Sequence, residues 1–245
     1  ALMPPAGVAL GAGPIACFRT WADVAAWKSS LIDPQATATA AIAAKASEVT
    51  AGAATPLARV EALARFVQAL RYVSISINSS RGGGYTPHAA EEVLRAAYGD
   101  CKDKTNLLRA LLRAIEVESF PVAIYSGDPH YTREDFPSPH QFNHAILAIR
   151  VPEEWDFPAS AVYPELGRLL FFDPTDTHVR FGHLPHHEQN SQVLLTAATG
   201  GGLLLTPTAG PRGNQVRRSW DLTLADTGEV RGELTEIRRG RAAFE

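Results

Sequence analysis

A chain of 245 residues, 45% hydrophobic and 20% charged, can form one large domain or two small ones. It buries roughly 70–75% of its unfolded surface, so its core needs no staples. A formal net charge of −3, with no Lys/Arg run, leaves no electrostatic footprint for nucleic acid. Two cysteines, Cys17 and Cys101, make neither a disulfide framework nor a CxxC metal knuckle, and no apolar run is long enough to span a membrane.

Residues 1–19 read as a tail or linker. ALMPPAGVALGAGPIA lacks a basic n-region and is broken by prolines, so it is not a signal peptide as it stands. The chain begins without an initiator Met and stops at AAFE, which points to a piece of a larger protein. An export signal could then lie upstream, and the compartment stays open.

Residues 20–211 read as the core, with a helical N-terminal part. TWADVAAWKSSL places Trp21, Val24, Trp27 and Leu31 at helical spacing behind a Thr20 cap. ATATAAIAAKASEVT is Ala-rich, a good helix former with little side chain to bury. Thr55-Pro56 opens TPLARVEALARFVQAL with an N-cap and Pro at the first helical position; Leu57, Val60, Leu63, Ala64, Val67 and Leu70 form its stripe. RYVSISI, 71–77, alternates like a strand, and NSSRGGGY follows as a loop. Thr86-Pro87 starts a short helix, PHAAEEVLRAA, ending at Gly99. The next helix, from GDCKDKTNLLRALLRAI, buries Leu107, Leu108, Leu111, Leu112 and Ile115.

The period then changes to two. ESFPVAIYS, FNHAILAIRV and RLLFFDPT read as three strands. GDPHYTREDFPSPHQ and PEEWDFPASAVYPELG read as the loops between them. Residues 212–245 change character: VRRSWDLTLADTGEVRGELTEI reads as a β-hairpin about Asp226-Thr227-Gly228, the start of a truncated β-domain. The fold class is α+β.

Cys101 stands in the first turn of its helix, seven residues before Leu108, with Asp100 as N-cap. Free amide N–H groups and the positive dipole end surround such a sulfur, an environment that lowers a thiol pKa from about 8.5 toward roughly 3.5–7.5. Taken alone, it could equally be core filler, since cysteine is a small hydrophobe that is commonly buried. A thiolate nucleophile needs a base, and the base an orienting group. His144 opens one strand, and Asp173 closes the next. If these pair as antiparallel neighbours, the two meet at one end of the sheet. A helix packed on that sheet can present Cys101 there, which completes a nucleophile, base and orienter.

GDC at a helix start, NH at a strand start and DPT at the next strand end resemble the transglutaminase-like core of the papain-type cysteine enzymes. The likeness is close over residues 54–176 and weaker from Trp21 onward and over GHLPHHEQNSQVLLTAATGGGLLLTP. It implies a catalytic helix packed on an antiparallel sheet, with Cys101 as nucleophile, His144 as general base and acid, Asp173 as orienter and the Cys101 N–H as one oxyanion donor. It also implies a bacterial multidomain parent with flanking β-rich domains, exported to the periplasm or cell envelope. Animal transglutaminases take a second oxyanion donor from an upstream tryptophan, but no Trp lies between Trp27 and Trp155. Tyr72 is a candidate replacement, or else a half-buried strand tyrosine. Asn143 could contact substrate or face solvent.

His178, His183, His186 and His187 lack the helical i, i+4 spacing of a metal site and read as solvated. Gly82–Gly84 and Gly200–Gly202 lack phosphate-loop context and read as turns. Lys102 and Lys104 could hold a thiolate or be solvated helix-start lysines. No metal or cofactor is called for. The expected function is thiol-dependent acyl transfer on a peptide or carboxamide, with a protein or peptide as partner. Calcium loops of the D-x-[DN]-x-[DN]-G kind are missing from the sequence, so hydrolysis by a protease or amidase is favoured over transglutaminase cross-linking. The alternative is a binding or scaffold module that keeps the fold without turnover.

Overall fold

The computed structural model describes residues 18–74, 84–210 and 213–243. Cys17, most of the first Gly run and the end of the expected RYVSISI strand fall outside these residues. Three helices open the chain: α1 (Trp21–Ile32), α2 (Ala40–Thr50) and α3 (Pro56–Gln68). Each starts where a threonine side chain accepts a backbone N–H: Thr20 from Asp23, Thr39 from Ile42 and Thr55 from Ala58. Thr20 and Asp23 cap each other reciprocally.

A two-residue strand, β1 (Arg71–Tyr72), follows, then α4 (Ala90–Ala96), β2 (Tyr98–Gly99) and α5 (Cys101–Arg113). α4 is shorter than its sequence pattern. It begins only after Ala89, and Ala97 ends it in the left-handed region with φ 57°. That turn frees Tyr98 and Gly99 to pair in parallel with Arg71 and Tyr72.

The main sheet runs β5–β6–β4–β3–β7–β8, antiparallel throughout. Its strands are β3 (Ser119–Ile124), β4 (His144–Arg150), β5 (Ser160–Tyr163), β6 (Gly167–Phe172), β7 (Gln192–Leu195) and β8 (Gly202–Leu205). Central β4 is covered on both faces, so Ile146–Ile149 are all buried and read as one apolar run. β5 lies in a segment that reads as a loop, and β7 and β8 lie in a stretch for which the sequence named no strand. They are four residues each, too short to establish a period.

α5 lies against β3 and β4 and meets α2, α3 and α4 on its other sides. Leu107, Leu108, Leu111 and Leu112 are fully buried, at roughly 1.5–3 kcal/mol each. Ile115 falls just past the helix and is only partly buried. α3 buries Val60, Leu63, Ala64 and Val67 in the same core, with Leu57 and Leu70 at its margin. α1 instead packs on β7 and β8, and its Val24 and Ala25 join Ala123 and Leu194 in a smaller cluster. Its buried residues are Val24, Ala25, Ser29 and Ile32, so the inner face is rotated from the Trp21–Leu31 stripe. Trp21 packs at the margin of the smaller cluster, and Trp27 lies away from it. The Trp21 indole donates to the Glu134 carbonyl at 2.8 Å, and Trp27 meets Tyr85 edge-on at 5.2 Å.

The hairpin of β9 (Gln215–Leu224) and β10 (Val230–Arg239) stands apart. Every residue of β9 is exposed, including Trp220 and Leu224.

Candidate active site

Cys101 is the first residue of α5, partly exposed and free of any disulfide. Asp100 caps the helix: its carboxylate accepts the Asp103 N–H at 3.2 Å, while Asp103 accepts the Asp100 N–H at 3.3 Å. Asp103 also accepts the His88 N–H at 2.8 Å and lies 3.1 Å from His88 Nδ1, which ties the approach to α4 onto the same turn. Gly99 explains the first letter of the GDC motif. A Cβ there would lie 2.6 Å from the Asp103 Cβ, so a side chain would force the capping box open.

Polar residues of the next turn fix the helix in its surroundings. Thr105 donates to the Ala145 carbonyl at 3.2 Å, beside His144. Asn106 donates to the Gln35 carbonyl at 2.9 Å and to that of His88 at 3.3 Å. Lys104 is fully buried and donates to the carbonyls of Gln68 at 3.1 Å and Leu70 at 2.8 Å, closing the C-terminal end of α3. Burial pushes its ammonium pKa down, against the pull of Asp173. Lys104 is therefore no solvated helix-start lysine. Lys102 pairs with Asp100 and is partly exposed.

His144 opens β4, and Asp173 follows directly on β6. The antiparallel register pairs Leu147 with Phe172, and three further steps bring Thr175 opposite His144. The His144 Nε2 lies 3.0 Å from Asp173 Oδ2. Asp173 Oδ1 accepts both the N–H and the hydroxyl of Thr175 at 2.7 Å. That gives the DPT motif a physical basis: Pro174 has no N–H to offer, and Thr175 supplies two donors that lock the carboxylate. Cys101 lines the same cleft as His144 and is close enough to favour the charged imidazolium. Burial alone would lower the His144 pKa. The hydrogen bond to Asp173, with the nearby thiol and the charges of both, outweighs burial and pushes the pKa up to about 11. Burial works the other way on Asp173, but His144 and the Thr175 donors hold it below the usual carboxylate range.

Tyr72 also comes near the thiol. The pairing of β1 with β2 sets Tyr72 opposite Gly99, two residues before Cys101, with its ring about half exposed. Burial, then the charge on Cys101, pushes its pKa up. Asn143 lines the cleft, but its amide is engaged elsewhere: Oδ1 accepts the Ser126 N–H at 2.8 Å, and Nδ2 donates to the Ser126 carbonyl at 3.1 Å. It braces the turn that delivers His144.

Glu188 was not singled out by the sequence. It ends a short 3-10 turn, His186–Glu188, and is completely buried. Its Oε1 accepts the Ser126 hydroxyl at 3.2 Å and lies 3.7 Å from His144 Nε2, while Oε2 has no partner. Burial, then the nearby charge of Asp173, raises its pKa to about 8. A lone acid in HHEQNS carries no periodic or motif signal that could have marked it. Among the described residues, His144, Asp173 and Glu188 are the group close enough to share a metal ion, with ligand atoms within 4.8 Å. His178, His183, His186 and His187 surround a separate cavity of ≈ 290 Å³.

Residues 43–156 match the family model of the transglutaminase-like superfamily. They form a transglutaminase-like domain. The match includes Cys101 and His144, and Asp173 lies beyond it. Among solved structures, the chain resembles a "putative protease" from Parabacteroides distasonis ATCC 8503 with a TM-score of 0.54 and 15% identity, over 78% of this chain and 32% of that one. A "putative cysteine protease" from Cytophaga hutchinsonii gives a TM-score of 0.40 and 14% identity, over 84% of this chain and 53% of that one. The chain thus spans about a third of the first structure and about half of the second. The first likeness is one of fold, a shared arrangement of helices and antiparallel sheet. No curated protein matches the chain. Among the described residues, no helix is long and apolar enough to cross a membrane.

Proposed function

We propose that the domain is a thiol-dependent acyl-transfer enzyme that acts on peptide or carboxamide bonds. The observation that supports this reading is His144, held 3.0 Å from Asp173 and sharing one cleft with Cys101 at the start of α5. Base and orienter are in reach of the nucleophile, which counts against a scaffold that merely keeps the fold.

In the reaction, the Cys101 thiolate attacks the carbonyl carbon, and the C=O electrons move to oxygen. In this reading the Cys101 N–H, outside the helix ladder, and the Tyr72 hydroxyl would donate to that oxygen. As the tetrahedral species collapses, the C–N bond breaks and the His144 imidazolium gives its proton to the departing amine. Water then attacks the thioester carbonyl, neutral His144 takes its proton, and the C–S bond breaks to give a carboxylic acid and the starting ion pair. An amine in place of water would give transamidation. The absence of calcium-loop sequences supports hydrolysis.

Incubation with peptide and carboxamide libraries, followed by mass spectrometry, should trap an acyl adduct on Cys101. A thiol-reactive amide probe that labels wild type and Cys101→Ala equally would refute the reading.

A further inference from the structure

We propose that the cleft beside Cys101 binds a free carboxylate of the acyl substrate, with the Lys28 ammonium as its counter-ion. The inference takes the acyl-transfer reading as its frame and adds a substrate class to it: acyl compounds that carry a carboxylate a few bonds from the scissile carbonyl.

The cleft has a volume of ≈ 150 Å³, and Lys28, Tyr85, Cys101, Lys102, Phe142 and His144 are among its walls. An apolar cavity of about this size takes up benzene, so there is room for a carboxymethyl or carboxyethyl group but not for a folded chain. Two ammonium groups line it, and they differ. Lys102 is already paired with Asp100. Lys28 projects from α1 and lies over the Tyr85 ring, 5.1 Å from its centroid. Among the described residues no carboxylate pairs with it; the charges that reach it are those of Cys101 and Lys102.

A partly desolvated ammonium without an anion is costly, and burial pulls the Lys28 pKa down to about 8. The thiolate is a poor candidate for the missing partner, because His144 already supplies its positive charge. An incoming carboxylate would relieve the desolvation of Lys28 and hold the substrate against the nucleophile. Tyr85, the ring beneath the ammonium, is itself held in place. Its hydroxyl lies 2.9 Å from His140 Nδ1, and its ring meets Trp27.

The test compares alkylation of the full chain by iodoacetate and by iodoacetamide, read at Cys101 by peptide mass spectrometry so that Cys17 does not contribute. The two reagents differ in the carboxylate alone. Lys28→Met should lower the iodoacetate-to-iodoacetamide rate ratio on the order of tenfold, the worth of a charge-assisted hydrogen bond, and Lys28→Arg should retain it. Peptides with Glu in place of Gln beside the scissile bond, and with a C-terminal acid in place of an amide, would then separate a side-chain carboxylate from a terminal one. If Lys28→Met slows both reagents alike and the ratio is unchanged, the proposal is overturned, and Lys28 serves the thiol alone. That result leaves acyl transfer standing. A ratio that depends on Lys28 in a protein that cleaves no amide would keep the carboxylate site and remove the acyl-transfer reading.

Discussion

Asp173 and Glu188 present carboxyl oxygens to the same nitrogen of His144, at 3.0 and 3.7 Å. Two carboxylates cannot both ionise cheaply in a buried site, so their pKa values part: Asp173 is held low and Glu188 is raised to about 8. Between pH 4.5 and about 8 the folded protein keeps a proton on Glu188 that the unfolded chain has released. Stability therefore falls as pH rises through that window. Glu188→Gln removes the titration and keeps the shape. Urea unfolding should show the variant gaining on wild type between about pH 5 and pH 8. An equal difference at both pH values would show that Glu188 is ionised in the fold.

The hydrogen bond with Asp173 is what most favours the proton on His144. With the His144 pKa raised to about 11 from 6.5, its contribution to stability is complete below pH 6.5 and disappears as pH climbs toward 11. The Asp173 contribution runs oppositely, present above its unfolded pKa and lost in acid. Asp173→Asn should lower the His144 pKa, seen as an earlier titration of its ring protons by NMR. Amide turnover should fall by about 10²–10⁴-fold, the usual worth of a well-oriented acid–base group. An unshifted His144 titration would remove Asp173 from the role of orienter.

Gly99 has no room for a methyl group beside Asp103. Gly99→Ala should cost about 1–3 kcal/mol by overpacking, and it should also slow alkylation of Cys101 at temperatures where the protein remains folded. Asp100→Ala removes the cap, at about 1 kcal/mol, and the partly exposed pair with Lys102, at about 1 kcal/mol or less. If Gly99→Ala destabilises the protein but leaves the alkylation rate unchanged, the capping box does not position the sulfur.

Residues on long periodic elements were legible in the sequence. The stripe of α3 and the leucines of α5 persist over enough residues to declare their period, and β4 and β6 stand out as apolar runs of strand length. The antiparallel pairing of β4 with β6 then brings His144 and Asp173 to one sheet end. What was hidden depends on short or isolated features. β5, β7 and β8 are four residues each. The pairing that carries Tyr72 towards Cys101 is two residues long, and its strand looked like a longer one. Glu188 and Lys28 are single charges in polar surroundings, and only the folded chain shows what lies opposite them.

Lys102 and Lys104 show the same limit and permit a direct comparison. They are two residues apart near the start of α5, and sequence gives both the same readings. In the fold, Lys102 is paired with Asp100 near the surface, whereas Lys104 is fully buried on two carbonyls at the end of α3. Lys104→Met leaves those carbonyls without their donor, at about 1–3 kcal/mol for an unsatisfied buried group. Lys102→Met gives up a partly exposed ion pair, worth about 1 kcal/mol or less. Thermal or urea unfolding of the two variants should separate them clearly, with Lys104→Met the less stable. Equal losses would mean that the Gln68 and Leu70 carbonyls find other donors, and that α3 is held against α5 by its apolar stripe alone.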